Sequence, residues 1–276
     1  MAHVRPAAVA GLFYPGTPSA LRSEVLAHLT RVQLPSNAPP GPKALIVPHA
    51  GFVYSGPIAA SAYARLAGIR DKIRRVVLFG PTHRVPVRGL ALPSVDAFAT
   101  PLGDVRIDRD AVTRSLTLRQ VTTSDAPHAH EHSLEVQLPF LQMMLGDFSL
   151  VPFAVGDATA AEVNEVMDLL WGGDETLIVV SSDLSHYHRY AEARSLDEAT
   201  GEAILGLSAN LDHDQACGAT PINGLLVAAR RRGLAVELVD LRNSGDTAGD
   251  HDRVVGYASF AFAVPETSVA DGGDRY

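Results

Sequence analysis

The sequence predicts a single three-layer α/β domain with a central, largely parallel or mixed sheet and helices on both faces, and three observations carry that prediction. Short, wholly apolar runs such as ALIV at Ala44 to Val47 and RVVLFG at Arg75 to Gly80 have the length and two-faced hydrophobicity of strands buried inside a sheet. Such runs alternate with longer helical segments over the whole chain, which places helices on the sheet's faces. No stretch shifts in composition as an interdomain linker does, and 276 residues that are 46% hydrophobic can bury one full core.

Taken in order, Arg5 to Pro15 reads as an ordered extended arm, and Thr17 or Ser19 caps a helix expected to run to about Leu34. Pro35 to Pro42 is a connector rich in proline. The strand Ala44 to Val47 delivers His49 at its carboxyl end. Gly51 and Gly56 punctuate the turn, and Pro57 suits the first turn of a helix over Pro57 to Leu66. Arg75 to Gly80 is a second strand, ending in a turn that carries His83. Gly89 to Leu92 and Val105 to Ile107 read as shorter strands, with Asp108 capping a helix over Ala111 to Leu116. A histidine-rich loop, Asp125 to His132, runs into SLEVQLPFLQMML, whose leucines have helical spacing and whose Pro139 marks a kink.

Leu150 to Val155 is a strand, Thr159 to Trp171 a helix, and Thr176 to Ser181 a third apolar strand that ends in SSDLSHYH. Ala191 to Leu207 is helical, and Leu211 to Gln215 forms a short helix or turn before CGATPINGLL. Pro221 to Arg232 is a helix stopped by Gly233, and Val236 to Leu241 and Val254 to Val264 are the last strands. The loop NSGDTAGDHD lacks the spacing of a phosphate loop. The domain is expected to span residues 1–265, with 266–276 a disordered tail.

Composition excludes several functions. A net charge of −8 argues against a surface that tracks nucleic-acid phosphates. No apolar run approaches the roughly 18 to 20 residues that cross a bilayer. The amino terminus has no signal-peptide core, and Cys217 is the only cysteine, so no internal disulfide exists and the reducing cytoplasm is the expected compartment.

The chemistry-bearing residues are placed unevenly. His49, His83 and the pair Asp183 with His186 all fall just past strand ends, where an open α/β sheet forms its binding crevice. Any one of them alone reads as a local strand or helix cap; together they describe a cleft able to hold a metal. Two imidazoles plus an anionic ligand suit iron, copper or zinc and leave positions open. Asp183 either caps a helix or sets the tautomer of His186, one turn away. The alternating histidines of the His128 to His132 loop form either a metal clip or a solvated loop. Glu131 and Glu135 lie one helical turn apart beside it. Cys217, read by itself, is a buried apolar residue or a free thiol.

The runs VPHAGFVYSG, GPTH, EHSLEVQLP, SSDLSH and CGATPI, in this order between about Arg5 and Ala263, resemble the Memo family, called AmmeMemoRadiSam system protein B in bacteria. The resemblance implies a fold similar to the class III extradiol (LigB-like) dioxygenases, which hold one non-heme ferrous ion. It implies His49, His83 and Cys217 as metal ligands, His186 with Asp183 beside it as the acid and base, and Tyr54 and His132 lining the substrate pocket. Where the ring-cleaving enzymes carry a carboxylate, this chain has Cys217. A thiolate is softer, favours copper(I), zinc or thiolate-bound iron, and is itself oxidisable.

The expected function is therefore that of a metal-dependent redox protein, with Fe(II) as cofactor and copper or zinc as alternatives. A second class is a non-catalytic binding or adaptor protein that takes a peptide or small molecule and uses metal for regulation, as the family's animal members resemble. A third is a zinc hydrolase. The bacterial family name implies a functional link to a radical-SAM enzyme.

Overall fold

The computed structural model describes residues 3–34 and 41–265. The expected tail at 266–276 and most of the connector at 35–42 lie outside the described residues.

A two-residue strand, β1 (Val4–Arg5), precedes α1 (Pro18–Thr30), whose Pro18 sits in the first turn, where a missing N–H breaks no helical bond. β2 (Ala44–Val47) leads through α2 (Phe52–Tyr63) to β3 (Arg75–Pro81), β4 (Leu90–Leu92), β5 (Ala97–Thr100), β6 (Gly103–Arg106) and α3 (Arg109–Ser115). β7 (Val121–Thr123) and α4 (Ala126–Ala129) come before a 3-10 turn, Glu135–Gln137, that continues as α5 (Leu138–Met144). The second half runs β8 (Ser149–Val155), α6 (Ala160–Leu170), β9 (Thr176–Ser181), β10 (His186–His188), α7 (Tyr190–Leu205), α8 (Ala219–Arg232), β11 (Ala235–Asn243) and β12 (Val254–Ala263).

The centre of the large sheet is the parallel set β2, β9, β3 and β8, neighbours in that order. β12 joins β2 antiparallel and β11 joins β12 antiparallel, while β4 pairs antiparallel with β8 and β7 parallel with β4. The sheet is therefore mixed with a parallel heart. β1, β5 and β6 form a separate three-stranded sheet. Every residue of β2 and β9 is buried, which requires cover on both faces. One helix group, α1, α2 and α5, packs together; α6 packs on α8, and α8 touches β3 and β9. No helix among the described residues is long and apolar enough to cross a membrane.

Several local features follow from single residues. Asp108 accepts the Ala111 N–H and caps α3. Thr159 and Glu162 form a reciprocal capping box that starts α6, a motif worth about 1 kcal/mol. Gly233 ends α8 in the left-handed conformation, at φ 64°.

Several elements differ from the sequence reading. α2 begins at Phe52, not Pro57, because the Phe52 N–H is taken by the Phe13 carbonyl at 2.7 Å and the Gly51 carbonyl accepts the N–H groups of Tyr54 and Ser55. Pro57 thus lies inside the helix, and the buried stripe Ile58, Ala59, Ala62 and Tyr63 offsets its lost bond. α1 stops at Thr30, short of Leu34. Pro139 stands at the start of α5, so it initiates a helix instead of kinking one. β5, β7 and β10 have only three or four residues and little alternation to announce them.

Candidate metal centre

The carboxyl ends of β2, β9 and β3 lie side by side, so the residues just beyond them share one crevice. His49 follows β2, Asp183 follows β9 and His83 follows β3.

His49 is almost wholly buried, at 1% exposure. Its backbone N–H goes to Asp183 Oδ1 at 2.7 Å, and its ring Nδ1 lies 2.9 Å from Ser181 Oγ. That hydroxyl spends its only proton on the Ser133 carbonyl at 2.6 Å and already accepts from Gln137 Nε2 at 2.8 Å. Nδ1 of His49 must therefore carry the proton, and Nε2 presents a lone pair. Nε2 faces Cys217 Sγ, 3.3 Å away.

His83 is set in the same manner by a carboxylate. Its backbone N–H donates to Glu131 Oε2 at 2.6 Å and its Nδ1 lies 2.9 Å from Oε1, which leaves Nε2 free. Glu131 also accepts the backbone N–H groups of His132 and Ser133, each at 2.9 Å. Burial opposes its ionisation, but the His83 ring and these N–H groups overcome that and hold its carboxyl at about 2. Ser133 Oγ donates to the Pro81 carbonyl at 2.8 Å, stitching this loop to the end of β3.

The third histidine of the crevice is His132. Its ring lies 4.7 Å from that of His83 and 5.3 Å from that of His49, centre to centre, with Phe13 packed 4.8 Å behind it. One nitrogen each from His49, His83 and His132 lie within 4.8 Å of one another, and this is the one such group among the described residues. Burial, with the neighbouring histidines adding to it, pushes His49 well below its ordinary value. Burial likewise brings His132 to about 4. Both rings are neutral at pH 7, the state in which imidazole binds metal.

The other sequence-predicted residues take different places. Cys217 stands just before α8, its thiol beside His49 and receiving the Asp183 N–H at 3.3 Å, but it is not part of the mutually close trio. Burial, then the charge of Asp183, raises that thiol to about 12, so it is protonated in the metal-free protein. Asp183 neither caps a helix nor pairs with His186; its carboxylate is committed to the backbone N–H of His49. His186 lies in β10, close enough that its charge is felt by His49; burial lowers it too, with a backbone bond to Leu184 working the other way. Tyr54 is in the first turn of α2, 37% exposed, on the side where Tyr257 senses both it and Asp183.

The histidine-rich loop divides between its two readings. His128 is a buried structural residue with Nε2 on the Ala91 carbonyl at 3.0 Å, His130 is exposed, and His132 joins the crevice. Sequence reasoning passed over Ser181, Ser133 and Gln137, which set the His49 tautomer; only their presence inside the motifs marked them. A cleft of about 680 Å³ opens over the site, lined by His83, Arg84, Asp157, His213 and Cys217.

The burial that raises the Asp183 carboxyl to about 7 makes a pH prediction. A group whose folded value lies above its unfolded one contributes stability in the protonated state, and that contribution is lost as pH rises from about 4 to 7. Asp183→Asn removes the titration. Its stability relative to the parent, measured by urea unfolding of metal-free protein, should rise between pH 5 and pH 8.5, by about 3 kcal/mol at most. A difference independent of pH would show that Asp183 ionises normally.

A mixed sheet with a parallel heart and a histidine trio gathered in the crevice beyond its strand ends defines an α/β protein with a histidine-lined crevice. A family profile described as "Memo-like protein" matches residues 5–261. A "MEMO1 family protein" of Methanococcoides burtonii is 38% identical over 93% of this chain and 98% of its own length. One from Aquifex aeolicus is 34% identical over 94% and 99%. The chain belongs to the Memo family. Among solved structures, an uncharacterized protein, JW3007, of Escherichia coli K12 shares the fold, with a TM-score of 0.52 and 16% identity over 79% of this chain and 98% of that one.

Proposed function

We propose that the crevice is a mononuclear metal centre and that the protein is a metal-dependent redox enzyme using Fe(II). The observation that supports this reading is the trio of imidazoles, His49, His83 and His132, with one nitrogen each inside a 4.8 Å group. The donor set suits first-row transition metals, and the proton positions on His49 and His83 leave a ring nitrogen of each ready to bind. His49 and His83 are common to two donor sets. His132 completes an all-nitrogen set, which the geometry favours, and Cys217 completes the mixed set implied by the family resemblance.

Bound iron would supply one-electron chemistry and open coordination positions. The chain's own groups do the rest. The walls of the cleft bind and orient the substrate, His186 takes up and returns a proton at its imidazole, and the Asp183 carboxylate keeps the His49 backbone in place. Proton transfer of this kind contributes typically ~10²- to 10⁴-fold in rate.

Anaerobic titration with ferrous ion should saturate at one equivalent per chain, and the loaded protein should consume oxygen with a member of a catechol panel. A loaded protein silent across the panel supports the binding-protein reading, and a chain that takes up no ferrous ion contradicts the metal centre.

A further inference from the structure

Glu131 is nearly inaccessible, with 1% of its side chain exposed, yet among the described residues its carboxylate pairs with no lysine or arginine, only with the histidines around it. Of the four hydrogen bonds its carboxylate accepts, two come from His83, through the backbone N–H and the ring Nδ1, and one from the backbone of His132. The ring Nδ1 of His132 lies 3.3 Å from the same Oε1. One carboxylate thus grips two of the three crevice histidines, which come from loops 48 residues apart in sequence. The bond from Ser133 Oγ to the Pro81 carbonyl welds these loops a second time. The three backbone donors already join these loops; the bond to the His83 ring adds a further tie and also selects which ring nitrogen faces the crevice.

We propose that Glu131 is a positioning residue that locks His83 in the Nδ1–H tautomer and holds His83 and His132 together as a preformed pair of metal donors. The inference rests on the metal reading only for its consequence on affinity; the tautomer stands apart from it. Glutamine in place of Glu131 keeps the volume, but it has a single accepting oxygen and an NH₂ that cannot accept. It therefore cannot serve the His83 ring and the three backbone donors at once.

The test uses the full-length, metal-stripped chain as parent, Glu131→Gln and Asp108→Asn, the last a loss of the distant ion pair with Arg75 that leaves the crevice untouched. Co(II) is the probe, followed by its visible absorption, and the His83 tautomer is read from ¹⁵N chemical shifts of the metal-free rings. Glu131→Gln is expected to bind Co(II) about 10- to 100-fold more weakly than the parent, and its His83 ring to leave the Nδ1–H state. Asp108→Asn should match the parent in both readouts. If Glu131→Gln keeps the parent tautomer, the proposal is overturned, as it is if Glu131→Gln and Asp108→Asn weaken Co(II) equally. If no chain binds Co(II), the metal reading fails, and the tautomer shift alone upholds or overturns the role of Glu131.

Discussion

Replacing His132 by alanine is expected to weaken Co(II) or Fe(II) binding by at least ~100-fold, whereas Cys217→Ser is expected to stay within about tenfold of the parent. The difference follows from the state of each donor before metal arrives. The ring of His132 is neutral and stands in the mutually close trio, so a metal gains its lone pair at no protonation cost. The Cys217 thiol is held protonated by burial and by Asp183, so ligation must first expel a proton from a group raised to about 12. His49→Ala and His83→Ala should abolish measurable binding, since both donor sets use them. Isothermal titration of the four variants at pH 7 checks the ranking; a Cys217→Ser loss as large as that of His132→Ala would establish the mixed nitrogen and sulfur set instead.

Glu135→Ala should destabilise the protein by roughly 3–5 kcal/mol. Glu135 is wholly buried and accepts from Arg5 Nη1 at 2.6 Å, Tyr14 Oη at 2.6 Å and the backbone N–H groups of Ala8 and Val9. Removing it leaves the Arg5 guanidinium, 4% exposed, without its carboxylate. Burial first, then Glu135, raises the Tyr14 hydroxyl far above its ordinary value, so that ring remains a donor with nothing to receive its proton. The effect should reach the crevice, because Arg5 also donates to the carbonyls of His128 and Glu131, each at 2.7 Å, and so holds the loop that carries His132. Urea unfolding measures the loss, and limited proteolysis should cut the arm before residue 17 at a higher rate. A loss under about 1 kcal/mol would mean that the arm is anchored by its apolar contacts.

The parallel heart of the fold was legible because its strands are short continuous apolar runs. β2 and β9 fall at the residues read from sequence, and with them the placement of His49 and Asp183 just beyond strand ends. The start of α2 was not legible, since it depends on a carbonyl at Phe13, 39 positions away along the chain. The histidine loop stayed ambiguous for a similar reason. Which of His128, His130 and His132 turns inward is decided by Arg5, Glu135 and the bond from Ser133 to Pro81, contacts that no local spacing encodes. Asp183 shows the opposite limit: its proximity in sequence to His186 suggested a pair, whereas the parallel register of β2 and β9 sets it against the His49 backbone.

The central claim is that His49, His83 and His132 hold one metal ion, and a crystal structure of the iron-loaded protein with anomalous data on both sides of the iron absorption edge tests it most directly. The predicted result is a single anomalous peak bonded to a nitrogen of each of these three side chains. A peak bonded elsewhere, or none between the three rings in protein that carries one iron per chain in solution, would contradict it.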